Sequence, residues 1–122
     1  MSLALHEVAE TLVPRRYQEE IFSRAQERNV IAALDTGSGK TYISTLLIKW
    51  IVTRDAGQGK ICVFLVPKVA LVDQQGDFIT KETGLRVSKR YGSTAIDMTD
   101  RRGWRSEIED HDVLVMTGMF LL

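Results

Sequence analysis

The stretch Asp35-Thr36-Gly37-Ser38-Gly39-Lys40-Thr41 follows the apolar run Val30-Ile31-Ala32-Ala33-Leu34 and opens a segment with apolar residues at 43, 46, 47, 50 and 51. The run predicts a buried strand, and the later spacing predicts a helix with one buried face over residues 40–53. A glycine-bearing turn between the two stands at a helix N-terminus. There the first-turn N–H groups lack intrahelical partners and the positive end of the dipole points outward, so a phosphate satisfies both. Gly37 and Gly39 permit backbone angles and a close approach that side chains would block. In that setting Lys40 reaches the β/γ-phosphates and the Thr41 hydroxyl ligates Mg²⁺. The strict pattern G-x-x-x-x-G-K-[ST] has a glycine where this chain has Leu34. A turn whose glycines serve geometry alone would account for the two glycines, but not for Gly-Lys-Thr opening a helix after an apolar strand. The stretch therefore predicts a nucleoside triphosphate site.

Ahead of this stretch, Pro14 suits the first turn of a helix reaching about residue 28, with Tyr17, Ile21, Phe22 and Ala25 on one face. Beyond the loop helix, Asp55-Ala56-Gly57-Gln58-Gly59 reads as a turn and residues 61–66 as a buried strand that Pro67 ends. A helix over 68–80, a strand over 85–90, a helix over 100–109 capped by Thr99, and a strand over 112–117 complete the pattern. Strands alternating with helices predict an α/β fold with a mainly parallel sheet, helices on both faces and right-handed crossovers. Ligands in such sheets bind beyond the carboxyl ends of the strands, where residues 35–41 fall. Residues 1–13 read as a leader and 14–122 as one partial domain. The apolar ending Gly118-Met119-Phe120-Leu121-Leu122 expects to be covered, either as the cap of a truncated sheet or by a continuing polypeptide.

With 122 residues and 44% apolar content, the chain is in the range of a single globular domain. Its 16 Lys and Arg balance 16 Asp and Glu, so no global field draws it to nucleic acid or anionic lipid and any such contact must be local. Locally, residues 81–105 hold Lys81, Arg86, Lys89, Arg90, Arg101, Arg102 and Arg105 against Glu82, Asp97 and Asp100. A solvated face is the ordinary reading of such a cluster. The single Cys62 lies in an apolar run and reads as a small core residue, not a nucleophile or ligand. His6 and His111 have no ligand spacing and read as surface residues. No stretch approaches the roughly 18 apolar residues of a membrane span, and residues 1–10 lack the parts of a signal peptide. An intracellular setting, cytoplasmic or nuclear, is expected, with no membrane partner.

Several blocks together resemble the first RecA-like domain of superfamily 2 helicases, most closely the helicase region of Dicer-like proteins and their antiviral RNA-sensor relatives. Pro14-Arg15-Arg16-Tyr17-Gln18 is similar to the Q motif, and residues 34–41 to motif I, in which Leu34 is not anomalous. Val66-Pro67-Lys68-Val69-Ala70-Leu71-Val72-Asp73-Gln74-Gln75 is similar to motif Ia, and Asp112-Val113-Leu114-Val115-Met116-Thr117 to the strand and threonine that precede the catalytic acids. The resemblance covers residues 14–122 and implies a P-loop NTPase fold of the RecA type, here incomplete. It implies that Gln18 hydrogen-bonds the adenine edge and Arg15 packs on its face, so that ATP with Mg²⁺ is the cofactor; a guanidinium plane stacks well on a π surface. It further implies that Pro67, Lys68, Gln74, Gln75 and Thr117 meet a sugar-phosphate strand, contacts that position without reading sequence. Arg15, Gln18, Gln74 and Gln75 could equally be exposed polar residues of their helices. After Thr117 the family carries a residue followed by Gln, whereas this chain has Gly118-Met119.

Hydrolysis in this family needs an Asp-Glu-x-His or Asp-Glu-x-Asp segment at a strand end, one carboxylate serving Mg²⁺ and the other the attacking water. No apolar run here ends in Asp-Glu. Glu19-Glu20 and residues 107–110 lie in helical segments and read as solvated carboxylates. A second RecA-like domain, which would bring an arginine finger, is also missing from this chain. The expectation is therefore an ATP-binding front end of an ATP-dependent RNA helicase module of a Dicer-like protein. The parent would hydrolyse ATP and engage RNA, double-stranded by resemblance, while the chain alone barely turns ATP over. The alternatives are a stand-alone nucleotide- or RNA-binding module without hydrolytic activity, or a piece of another superfamily 2 motor acting on DNA or RNA.

Overall fold

The computed structural model describes residues 15–32, 39–91 and 100–118. The chain divides into two compact units, Met1–Leu47 and Ile48–Leu122. The leader over residues 1–13, the loop residues 35–38, the cap Thr99 and the apolar residues 119–122 lie outside the described residues.

In the first unit, helix α1 (Arg16–Glu27) starts from an extended Arg15, whose N–H donates to Gln18 Oε1 at 2.7 Å. The bond gives one terminal donor a partner three residues on, the reciprocal half of a capping box. Helix α2 (Lys40–Arg54) follows Gly39, its residues to Leu47 belonging to the first unit and those from Ile48 to the second. The described part of the expected strand over 30–34 does not form one: residues 30–32 are outside any strand, and Ile31 is 99% exposed. A strand is stabilised by a neighbour that takes its N–H and C=O groups, and among the described residues none pairs with 30–32. Helix α2 also differs in its facing. Ile43, Thr45 and Ile48 are its buried residues, so the stripe is shifted from the one the apolar spacing marks. The Thr45 hydroxyl is satisfied by donating to the Thr41 carbonyl at 2.7 Å.

The second unit contains strand β1 (Cys62–Val66), helix α3 (Ala70–Thr83), strand β2 (Val87–Arg90), helix α4 (Arg101–Asp110) and strand β3 (Val113–Thr117). All strand pairs are parallel, in the order β1-β3-β2, so the last strand inserts between the first two. That position explains its sequence. Val113-Leu114-Val115-Met116 is apolar at every residue because an inner parallel strand is covered on both faces, and all of β3 is buried.

Residues paired in register share a face of the sheet. Val113 and Val115 pack with Val66, Val72, Ile79 and Ile48 in the core, which puts α3 on their face. Ser88 and Arg90 pair with Leu114 and Met116 on the other face, where both bond Glu107 of α4. The sheet therefore carries a helix on each side, as the alternating pattern predicts.

Helix α3 begins at Ala70 and runs past residue 80 to Thr83, where Gly84 at φ 70° ends it in the left-handed conformation. Lys68 consequently lies in the loop ahead of the helix, not within it. Helix α4 is capped by Asp100, whose side chain accepts from Arg102 N at 3.0 Å.

Candidate functional site

Gly39, Lys40 and Thr41 are the described part of the expected phosphate loop; Asp35, Thr36, Gly37 and Ser38 lie outside the described residues. Gly39 has φ 81°, a conformation that side chains disfavour, and a Cβ added there would lie 2.0 Å from Gln18 Nε2. Both facts require glycine. Gln18 is 5% exposed and uses both ends of its amide inside the protein: Oε1 accepts from Arg15 N, and Nε2 donates to the Gly39 carbonyl at 3.2 Å. Sequence reading sets Gln18 against a nucleotide base, whereas here it fastens the start of α1 to the residue preceding α2. Arg15 is exposed, and its Nη1 donates to the Tyr17 hydroxyl at 3.1 Å.

These residues fit a polyphosphate with Mg²⁺. Helix α2 has no acidic residue in its first turn to oppose an anion, and exposed Lys40 is its first residue. The Thr41 carbonyl is taken by Thr45, while its hydroxyl makes no hydrogen bond among the described residues and can serve a hard cation.

The second group of expected residues belongs to the second unit. Pro67 and Lys68 leave the carboxyl end of β1 and are exposed. Val66 is in register with Thr117, the last residue of β3, so the exit of β1 lies beside Thr117 at the carboxyl end of the sheet. Thr117 is itself buried, at 7% exposure. Gln74 and Gln75 sit on α3 and bond neither Pro67, Lys68 nor Thr117. Gln74 is exposed; Gln75 is half-buried, and its Oε1 is sealed from solvent without a hydrogen-bond partner.

Sequence reading missed the ion pairs that fasten the carboxylates. Glu107, expected to be solvated, is 3% exposed and receives the Arg90 guanidinium on both oxygens, with Nε to Oε1 at 3.2 Å. Burial pushes its carboxyl up, but hydrogen bonds from Arg90 and Ser88 and the nearby charge prevail and hold it below the usual carboxylate range. Asp112 is likewise held low, chiefly by the Arg86 side chain, which donates to it through Nε and Nη2 while Arg86 N adds a third bond at 3.0 Å. Lys89 pairs with Asp77 and lies 3.7 Å from Asp73. Arg86, Lys89 and Arg90, three of the seven basic residues over 81–105, therefore serve as internal fastening. His111 is also half-buried, with Nδ1 3.2 Å from the Glu107 carbonyl. Burial raises the Cys62 thiol, which packs against the core as expected and is poorly suited to act as a nucleophile. Among the described residues, no helix is long and apolar enough to cross a membrane, and no cluster of His, Cys, Asp and Glu is suited to hold a metal.

The DEAD/DEAH box helicase family model matches residues 15–122. The chain is 41% identical over 114 residues to Dicer-like protein 1 of Neurospora crassa. It is 44% identical over 110 residues to endoribonuclease Dicer homolog 1 of Arabidopsis thaliana, and 42% over 110 residues to endoribonuclease Dicer homolog 2a of Oryza sativa subsp. japonica. Each alignment covers 88% of this chain, and the chain spans 7%, 6% and 8% of those relatives.

Proposed function

Because this chain belongs to the DEAD/DEAH box helicase family, we propose that it is the ATP-binding front end of an RNA helicase module of a Dicer-like protein. The observation that carries this reading is Gly39. Its positive φ and its contact with Gln18 leave room for no side chain, directly before a helix that opens Lys40-Thr41. A fold requires such a residue where a backbone must approach a ligand closely. In this reading Lys40 and the first-turn N–H groups of α2 bind the phosphates, Asp35, Thr36, Gly37 and Ser38 complete the cradle, and Thr41 serves Mg²⁺. Bound ATP supplies the free energy that the whole motor converts into movement along RNA. Arg15 packs on the base, and Gln18 positions the loop through Gly39.

The carboxyl end of the sheet is the proposed strand-binding surface. Lys68 offers a cation and the exposed loop at Pro67 offers backbone donors beside Thr117, with Gln74 on the following helix. Gln75 Oε1 lacks a donor, and a ribose hydroxyl would supply one if the side chain turned outward. Hydrolysis requires an acidic pair, and among the described residues no strand carries one at its end: β1 leads into Pro67, β2 into Tyr91 and β3 into Gly118. The chain therefore binds ATP without appreciable turnover.

The test is equilibrium titration of the chain with a fluorescent ATP analogue, with and without Mg²⁺. Lys40→Ala is expected to weaken binding roughly tenfold or more, the loss of one charge-assisted contact. Equal affinity in both proteins would overturn the assignment.

A further inference from the structure

A glutamine reads adenine by presenting its carbonyl and its amide nitrogen together to one edge of the base, a bidentate pair that favours adenine by roughly tenfold or more. In Gln18 the two ends are tied to different parts of the chain. Oε1 accepts from Arg15 N at 2.7 Å at the start of α1, Nε2 donates to the Gly39 carbonyl at 3.2 Å, and the residue is 5% exposed. A Cβ on Gly39 would lie 2.0 Å from Nε2, so the amide occupies the place that a side chain would take there. Turning it toward a base would break both bonds, remove the acceptor from Arg15 N and empty the space beside Gly39. Base reading and the observed fastening compete for the same two atoms.

The fastening acts on the phosphate end of the site. The Gly39 carbonyl accepts from Ile43 N at 3.2 Å as well as from Gln18. Because the peptide unit is planar and trans, fixing this carbonyl also fixes the Lys40 N–H, which points the opposite way. That N–H stands in the first turn of α2, where the donors lack intrahelical partners. Two donors on the carbonyl also polarise the unit, which makes its N–H a stronger donor toward an anion. Arg15, by contrast, is exposed, and a guanidinium stacks on any base because every base offers a π face.

We infer that this site selects its ligand by the triphosphate and not by the base, so that ATP and GTP bind with similar affinity. Gln18 is a positioning residue for the phosphate-binding backbone and acts through Gly39. The inference rests on the nucleotide-binding reading above and departs from the adenine contact that the resemblance implies for Gln18. Base stacking on Arg15 adds affinity without separating adenine from guanine.

The experiment is calorimetric titration of the full chain with ATP, GTP and inorganic tripolyphosphate, each with Mg²⁺. Wild type and Gln18→Ala are compared at a temperature where circular dichroism shows both to be folded. In the wild type the affinities for ATP and GTP are expected within about threefold of each other. Gln18→Ala should weaken all three ligands by a common factor of roughly fivefold, the loss of one hydrogen bond, and leave the ratio of ATP to GTP affinity unchanged. A residue that only held the fold would leave the affinity of the folded variant unmoved. Gln18→Met, of similar length but without the amide, replaces alanine if that variant unfolds, and the wild-type ratio requires no variant. A wild-type preference for ATP of roughly tenfold or more overturns the inference, and its loss in Gln18→Ala would return Gln18 to the base. Unchanged affinity for all three ligands in the variant overturns it as well. Both results leave the nucleotide-binding reading standing. If the wild type binds none of the three, that reading fails and the inference with it.

Discussion

Gln18 Nε2 donates to the carbonyl oxygen of Gly39 at 3.2 Å, joining the first turn of α1 to the residue that launches α2. The same amide accepts from Arg15 N, so one buried side chain takes a terminal donor of α1 and adds a second donor to the Gly39 carbonyl, which Ile43 N also reaches at 3.2 Å. A glutamine is suited to this because it offers both an acceptor and donors at a fixed separation. Glutamate at this position would keep the acceptor and lose the donor.

Gly39→Ala faces two separate penalties, and a second substitution distinguishes them. A non-glycine residue at φ 81° costs about 1 kcal/mol from backbone sterics. The new methyl must also displace Gln18 Nε2, adding a further cost of about 1–3 kcal/mol typical of overpacking. Gln18→Ala alone is expected to cost about 1 kcal/mol, a buried hydrogen-bond partner lost at each end and partly recovered by water. In the Gln18→Ala background, Gly39→Ala should then cost only the backbone share. Urea denaturation of the four proteins measures this coupling; strict additivity would mean that the two residues do not meet.

The Arg90–Glu107 pair predicts an asymmetry between its two partners. Removing the guanidinium by Arg90→Ala strands a carboxylate that is 3% exposed and should destabilise the chain by about 3 kcal/mol or more. Glu107→Gln should cost less, because Arg90 retains 31% side-chain exposure and can turn to water. The pH dependence follows from the same geometry. The folded carboxyl lies below its unfolded value, roughly 4.3, so its contribution is present above that value and is lost as pH falls through the folded one. In Arg90→Ala only the Ser88 hydrogen bond and the nearby His111 still oppose burial, so the carboxyl rises relative to the wild type. Its loss of stability between about pH 5 and 3 should therefore be flatter than that of the wild type. Chemical denaturation at a series of pH values tests this, and parallel curves would contradict it.

Asp112 ties the amino ends of β2 and β3 together by accepting from both the backbone and the side chain of Arg86. Asp112→Asn retains an acceptor but removes the charge, and should cost about 1 kcal/mol. Its carboxyl is also held low, so this increment too disappears as pH falls, and the variant should lose less stability in acid than the wild type. A wild-type acid profile in Asp112→Asn would argue that the charge is inconsequential.

The order of elements and the parallel sheet were legible because the determining signals are local: a six-residue apolar run ended by Pro67, a glycine-bearing turn over 55–59, and an unbroken apolar run at 113–116. The inner position of β3 could be inferred only indirectly, since strand order depends on packing between distant segments. The helix that opens at Lys40 directly after Gly39 was legible from motif spacing. The burial of Gln18 and Glu107 was not. Each is a polar residue on a helix, where solvent exposure is the ordinary expectation, and only a partner 21 or 17 residues away in sequence makes it an internal fastening. Residues 30–32 failed differently, because an apolar run states a preference for burial but does not supply the neighbouring strand that would realise it.

Gly76 lies in the middle of α3, where glycine costs about 1 kcal/mol relative to alanine, so a reason for it is needed. The reason is Lys89. Its stem crosses the helix at this point, and a Cβ on Gly76 would stand 2.9 Å from Lys89 Cε and 3.0 Å from Cγ. The crossing lets the Lys89 amine reach Asp77, with Asp73 also within range, while its methylenes cover the helix. In the wild type, Gly76→Ala gains helix propensity but pushes the stem aside along its length from Cγ to Cε, and the two effects should nearly cancel. In a Lys89→Ala background only the gain remains, so the same substitution should stabilise the chain by about 1 kcal/mol. Thermal or urea unfolding of the four-protein cycle reads this directly. A stabilisation of equal size in both backgrounds would show that Lys89 does not crowd Gly76 in solution.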